Sequence, residues 1–168
     1  MSKKLSPLPV IHAHLDTLRD SQSNKPLVWD YLMLYGLPVL VGGFSFWRKF
    51  QAQDIGSFLG GVAVFAALLF ALVVFVFQLR LSAGKDSVAS RKPRLLKLLD
   101  QLFANVSYAV LVGIVTTFLG IASVWLSDDE GTAPIWLSVL LVTSVTHLVL
   151  TILMCLKRIN AAYRRLTK

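Results

Sequence analysis

The apolar stretch from Val62 to Phe77 is the feature that most constrains what this chain can fold into. It contains no polar residue, whereas an amphipathic helix of a soluble protein keeps a polar face toward water. A helix that crosses a bilayer needs about 20 predominantly apolar residues. Together with its apolar flanks, the stretch therefore predicts a helix that lies in a membrane.

Three further runs are also predominantly apolar, which gives predicted spans at about 27–47, 55–79, 103–126 and 134–156. The chain is 55% hydrophobic and 15% charged, whereas soluble domains carry about 45–50% apolar and about 25% charged residues. Because Cys155 is the only cysteine, a disulfide-stapled secreted domain is excluded. We predict an all-α polytopic membrane protein with four transmembrane helices.

The basic residues predict the orientation of these spans. Of the 17 Lys and Arg residues, 15 lie before the first span, between the second and third, or after the fourth. Short cytoplasmic segments carry an excess of such cations, so we predict that both termini are cytoplasmic in a bacterial inner membrane. The predicted organisation is a cytoplasmic amphipathic segment (1–26), a transmembrane domain (27–156) with a basic cytoplasmic loop (80–102), and a basic tail (157–168).

The N-terminal segment contains a predicted helix that begins near Pro7, because proline is favoured in a first helical turn. An apolar stripe at helical spacing follows, formed by Leu8, Ile11, Leu15 and Leu18. This pattern is typical of an amphipathic helix that lies on the inner leaflet or packs on another protein. His12 and His14 are two residues apart and point to nearly opposite sides of a helix, so they do not form a metal pair.

A basic cluster precedes the third span and consists of Arg91, Lys92, Arg94 and Lys97. Such a juxtamembrane cluster attracts the anionic lipids of the inner leaflet. It also serves topology, and the same surface could dock an acidic cytoplasmic protein. The cluster lacks interleaved aromatic residues and a groove-reading scaffold, so we predict no direct contact with nucleic acid.

The fourth span carries a polar stripe formed by Thr143, His147 and Thr151, which follow each other at intervals of four residues. One interpretation is hydrogen bonding between helices, which contributes about 0.6 kcal/mol per pair in membranes. The other is a polar lining or pH-sensitive element in a pore or sensor, because histidine titrates near neutral pH.

The second span carries small residues along one face: Gly56, Gly60, Ala63, Ala67 and Ala71. Small residues let helix backbones approach closely in lipid, so this stripe predicts a helix-packing or homo-oligomer interface. The pattern leaves open whether that interface lies within one chain or between chains. In the first span, Gly36 and Pro38 predict a kink.

No segment outside the spans is long enough to build a catalytic domain. Catalytic motifs for metal, phosphate or thiol chemistry are absent from the sequence. Ser45 and His147 could form a nucleophile and base in an intramembrane protease only at a similar depth, and the topology places them at different depths. We therefore predict a protein that is not an enzyme and has no cofactor.

The predicted organisation consists of a short amphipathic N-terminus, four spans and a basic middle loop. The third span begins with the sequence LFANVSYA (102–109). In this organisation the chain resembles small four-span membrane subunits of bacterial anti-phage systems, among them the membrane subunit of the Kiwa defence system. The resemblance implies a homo-oligomer in the inner membrane that senses infection. It also implies a cytoplasmic DNA-binding partner that acts on phage DNA.

These patterns favour a non-enzymatic inner-membrane subunit that oligomerises and anchors or regulates a cytoplasmic partner. Two alternatives remain from the sequence. The protein could be a pore-forming or holin-like permeabiliser with the polar stripe along its path, or it could be a small transporter.

Overall fold

The computed structural model describes residues 6–18, 28–85 and 93–166. All regular structure in these ranges is helical, and no strand occurs in them. The elements in chain order are α1 (Leu8–Thr17), α2 (Val28–Tyr31), a π-helical segment (Leu32–Gly36), α3 (Leu37–Trp47), α4 (Ile55–Lys85), α5 (Pro93–Trp125) and α6 (Ile135–Leu166).

Three of these helices are long and apolar enough to cross a membrane, namely the regions Ile55–Lys85, Leu95–Trp125 and Ile135–Lys157. The region Leu32–Trp47 is also apolar but shorter. This composition fits the membrane protein that the sequence predicts. Every long helix continues past its predicted span at the end that carries the basic residues, as α6 does by running to Leu166.

The four apolar helical regions are arranged side by side in the order α4, α5, α6, α3. Helix α5 packs against both α4 and α6, whereas α3 packs against α6. The backbone of α4 comes close to no other described helix than α5, although Val76 of α4 shares an apolar cluster with Cys155 of α6. The array is therefore open, with α5 and α6 at its centre and α3 and α4 at its edges.

A heptad repeat joins α4 to α5. The buried residues of α4 are seven positions apart: Ile55, Val62, Leu69 and Val76. A seven-residue repeat keeps one seam of a helix facing its partner and produces left-handed packing at a small crossing angle. The seam ends in an apolar cluster in which Val76 packs with Leu102, Val106 and Cys155.

The two short loops meet at one end of the array, which we call the short-loop end (48–54 and 126–134). The Ala133 N–H donates to the Ala52 carbonyl at 3.0 Å. The Ala52 N–H in turn donates to Ser138 Oγ at 2.9 Å. Since Lys49 and Asp54 both have a positive φ, of 51° and 50°, the chain turns sharply on each side of this bridge.

Close packing between edge and centre depends on two glycines. A Cβ at Gly120 would lie 2.5 Å from Leu59 Cδ2, and a Cβ at Gly42 would overlap Thr143 Oγ1. Gly43, the next residue, has no neighbouring atom within 4 Å of such a Cβ. Helix association in lipid relies on close approach at small residues, so Gly42 sets the approach of α3 to α6.

We expect Gly42→Ala to lower the free energy of unfolding in detergent micelles by about 1–3 kcal/mol, because it overpacks the α3–α6 contact. Gly43→Ala is the matched control. It should leave stability unchanged or raise it by about 0.5–1 kcal/mol, since alanine is the better residue inside a helix. Equal effects of the two substitutions in a denaturant titration would contradict this packing.

Candidate functional site

The helix α1 packs against α5 through a fully buried histidine. His14 is 0% exposed and lies 2.8 Å from Asn105 through Nδ1 and Oδ1. Because a carboxamide oxygen only accepts, the His14 Nδ1–H is the donor. Thr17 Oγ1 lies 2.7 Å from the same oxygen and 2.7 Å from the His14 carbonyl. Three polar groups are thus gathered at one point of the α1–α5 contact.

The buried face of α1 overlaps the predicted stripe without matching it. Within the stripe, Leu18 is buried and Leu15 is half-buried, but Leu8 is 58% exposed; His14 and Thr17, outside the stripe, are buried. Val10 and Ile11 are half-buried against an apolar cluster of α4, α5 and α6. The helix that the sequence predicts is present, but a polar face forms much of its contact with the rest of the chain.

Tyr108 connects α1 to α6. The Tyr108 ring stacks on the His14 ring, with 3.9 Å between centroids and 6° between planes. Its hydroxyl lies 2.9 Å from His147 Nε2. One side chain of α5 is therefore in contact with a histidine on each side.

His147 is also bonded to the segment that precedes α3. Its Nδ1 lies 2.9 Å from the carbonyl oxygen of Leu34, in the π-helical segment. A carbonyl only accepts, so Nδ1 carries the proton. In a neutral imidazole Nε2 then accepts, and the Tyr108 hydroxyl donates to it.

Pro38 explains why the Leu34 carbonyl is available. In a regular helix the N–H of residue 38 would donate to this carbonyl, and proline has no N–H. The backbone widens here into the π-helical segment, and the Leu37 N–H bonds to the Leu32 carbonyl. Single π-helical turns frequently occur at functional sites. Tyr35 adds a ring contact with His147, at 5.1 Å between centroids.

These groups form one continuous chain of contacts, which we call the polar relay: Asn105, His14, Tyr108, His147 and the Leu34 carbonyl. It runs from α1 through α5 and α6 to the π-helical segment. It lies among apolar residues, since the neighbouring cluster contains Leu69, Val112 and Leu148. The Nδ2 atom of Asn105 is buried without a hydrogen-bond partner in the described part of the chain.

The predicted stripe on α6 contributes one member to the relay. Thr143 Oγ1 donates to the Val139 carbonyl within its own helix and faces Gly42. Thr151 is buried and donates to the His147 carbonyl. Between α5 and α6, Thr116 and Ser144 form another hydroxyl pair at 2.6 Å. The two threonine hydroxyls of the stripe therefore satisfy bonds within α6, and His147 reaches the neighbouring elements.

The predicted small-residue stripe lies on the exposed side of α4. All five of its residues are solvent-exposed in the single chain: Gly56, Gly60, Ala63, Ala67 and Ala71. A Cβ at Gly56 or Gly60 would meet no atom within 4 Å. The stripe therefore faces away from the seam with α5, and the close approaches within the chain use Gly42 and Gly120 instead.

The predicted basic cluster is described only in part. Arg91 and Lys92 lie outside the described residues, as does the side chain of Arg94, and Lys97 is exposed. Near it, Arg80 and Asp100 form an ion pair at 2.6 Å between α4 and α5. In the described ranges, no three His, Cys, Asp or Glu residues lie close enough together to hold a metal ion.

Sequence reasoning missed His14, Asn105 and Tyr108 as members of a site. Asn105 could have been selected from the sequence as a candidate site residue, because a side-chain amide at the start of an apolar span needs a hydrogen-bond partner. The pair Leu34 and Pro38 was another, since a proline inside a span frees a carbonyl that some other donor must satisfy.

Comparisons with known proteins add no relative. No protein-family model matches this chain, and neither a curated protein nor a solved structure matches it significantly.

A double-mutant cycle can measure the central bond of the polar relay. We expect Tyr108→Phe and His147→Gln to be coupled by about 0.6–1.7 kcal/mol in thermal or denaturant unfolding, the range found for hydrogen bonds between membrane helices. The control cycle pairs Tyr108→Phe with Thr117→Val, because the Thr117 hydroxyl bonds to the Gly113 carbonyl of its own helix. A coupling no larger than in the control cycle would exclude this bond.

Proposed function

We propose that the protein is a non-enzymatic, homo-oligomeric subunit of a bacterial inner membrane that couples a change in the membrane to a cytoplasmic partner. In this proposal four helices cross the bilayer, both termini are cytoplasmic, and the short-loop end faces outward. The observation that carries the proposal is the polar relay. It joins α1, which this proposal places on the cytoplasmic side, to side chains and backbone of the apolar helices.

Several features support the four-span placement. The helical residues 28–47 number 20, which is about the length needed to cross the hydrocarbon core. Tryptophans favour the headgroup level. Trp47, Trp125 and Trp136 are exposed at the short-loop end, and Trp29 is exposed near the other end. The distribution of basic residues assigns that other end to the cytoplasm.

The polar relay is suited to transmit a movement from one helix to another, because few other groups can replace a hydrogen bond that is lost within it. Inside an apolar environment no bulk water replaces a lost hydrogen bond, so a shift of α6 against the π-helical segment would change the bond between His147 and Tyr108. The ring stacked on Tyr108 belongs to α1. A movement within the membrane would therefore alter how α1 is held.

The contact of α1 is also suited to reversal. A buried donor without a partner costs about 1–3 kcal/mol, and the docked arrangement leaves Asn105 Nδ2 in that condition. This cost offsets part of the apolar contribution of Val10, Ile11 and Leu18, and so it reduces the preference for the docked state. When the docked and undocked states of α1 differ little in free energy, a ligand or a change in the membrane can shift the population from one to the other.

The partner is proposed from charge and resemblance. The basic cluster at Arg91, Lys92, Arg94 and Lys97 would attract an acidic surface or the anionic inner leaflet. The organisation resembles that of membrane subunits in anti-phage systems, which implies a cytoplasmic partner that acts on phage DNA. We propose that the partner, and not this chain, contacts nucleic acid.

Thiol labelling tests the coupling directly. In a Cys155→Ala background we expect Leu18→Cys, at a position 1% exposed, to react with a maleimide at least tenfold more slowly than the exposed Ala13→Cys. Depolarising the membrane should accelerate the reaction of Leu18→Cys and leave that of Ala13→Cys unchanged. Tyr108→Phe should abolish this acceleration, because it disconnects α1 from His147.

Three results would contradict the proposal. The first is an unchanged labelling rate at Leu18→Cys under depolarisation, infection or osmotic stress. The second is purification in mild detergent without any bound cytoplasmic protein. The third is depolarisation of cells by this protein alone, which would favour the pore-forming alternative.

The exposed stripe on α4 supports the proposed homo-oligomer. We expect Ala67→Cys, again with Cys155→Ala, to form disulfide-linked dimers in oxidised membranes. Phe65→Cys is the matched control, because it is 54% exposed on the same helix but lies away from the stripe. Dimers of equal yield from both variants would indicate random collision and argue against the stripe as an interface.

A further inference from the structure

A slot lies between the halves of α4 and α6 that are nearest the short-loop end. Two adjoining cavities of about 280 and about 260 Å³ make it up, and both are lined by Phe58 and Val145. The cavity nearer the middle of the array is lined only by apolar side chains and Gly61. In the other, Thr146 already donates to the Val142 carbonyl, which leaves Gln53 as the polar group at its end.

The dimensions of the slot fit a hydrocarbon chain. Its lining runs from Ile55 to Phe65 on α4 and from Leu141 to Ile152 on α6. At 1.5 Å per residue this depth is about 15 Å, or half of the hydrocarbon thickness of about 30 Å. The slot is therefore as deep as one leaflet.

The position of the slot in the array limits its occupants. Helices α4 and α6 both pack on α5, so the slot lies over α5 and between its two neighbours. Lipid and a helix of a second copy are the two occupants that such a groove admits in a membrane, and the charge beside it favours lipid.

The short-loop end carries two cations next in sequence to the slot, while its carboxylates line a neighbouring cavity, namely Asp54, Asp128, Asp129 and Glu130. Phe50, Ala52 and Gln53 line the slot at this end, and the bridge between the two short loops holds this segment in place. Arg48 and Lys49 come immediately before it, and both are exposed. They are also the two cations that the predicted topology places outside, against the usual bias, so topology does not explain them.

We propose that the slot binds one acyl chain of a glycerophospholipid whose phosphate lies against Arg48 and Lys49. The apolar lining accepts the chain, and the paired cations complement the phosphate. The proposal rests on the membrane location of the protein. It does not depend on the partner, the sensing role or the oligomer proposed above. The lipid site and the proposed function can therefore fail independently.

Native mass spectrometry of the purified full chain in mild detergent, titrated with a palmitoyl-oleoyl phosphatidylethanolamine, tests this site. We expect one tightly held lipid per chain. Gly61→Phe should reduce the affinity at least tenfold by filling the slot, and Val145→Phe should do the same from the opposite wall. Val64→Phe is the matched control, because it is exposed on α4 and does not line the slot.

The headgroup contact is tested by Arg48→Gln combined with Lys49→Gln, which should weaken binding about tenfold. The control combines Lys85→Gln with Lys157→Gln, two exposed cations at the other end of the array. Circular dichroism and thermal unfolding verify that each variant is folded.

The outcomes distinguish a lipid bound in the slot from an annular lipid and from a second copy of the chain. Equal lipid retention by Gly61→Phe, Val145→Phe and Val64→Phe would show an annular lipid without a site and would overturn the proposal. Loss of dimers instead of lipid in the two slot-filling variants would assign the slot to a second copy of the chain. Weakened binding in the charge variant with unchanged labelling of Leu18→Cys would support the lipid site and leave the sensing proposal to its own test.

Discussion

The carbonyl of Leu34 is the constraint on which the rest of the site depends. Pro38 removes its helical donor, and an unpaired carbonyl in an apolar environment costs several kcal/mol. His147 satisfies it through Nδ1, which places the proton of the imidazole on that nitrogen and makes Nε2 an acceptor. The Tyr108 hydroxyl then donates to Nε2, and this bond orients the ring on which His14 stacks. One missing N–H in the first apolar helix is thus linked, bond by bond, to the N-terminal helix.

Apolar packing and polar contacts have different roles in this fold. Apolar packing between helices has little specificity in lipid, because lipid tails are as apolar as leucine. The heptad seam of α4 and the close approaches at Gly42 and Gly120 therefore bring helices together by shape, whereas the polar relay fixes which residues meet. In the same arrangement, α5 is the one described helix whose backbone comes close to that of α4. This is why one side of α4 opens into the slot and the opposite side exposes the small-residue stripe.

Much of the helical architecture could be predicted from local patterns. The lengths of the apolar runs predict the long helices, and Pro93 begins α5 as a proline in a first turn does. His147 could be selected as a candidate because an ionisable residue deep in an apolar run is costly. Its partners could not be selected in this way. Tyr108 resembles an interfacial aromatic residue, and His14 lies outside the leucine stripe from which the buried face of α1 was predicted. Their contacts join residues about 40 and about 90 positions apart in the chain, so no local period reports them.

The sequence by itself determined that this chain is helical and apolar enough for a membrane, because hydropathy and length act over one segment at a time. It also determined that a carbonyl near Pro38 would need an outside donor. Only the tertiary structure decided that the donor is His147, that α1 docks through His14 and Asn105, and that the small residues of α4 remain exposed. These outcomes depend on the order in which the helices pack. That order is set by shape and hydrogen bonding between distant segments, and no single segment contains this information.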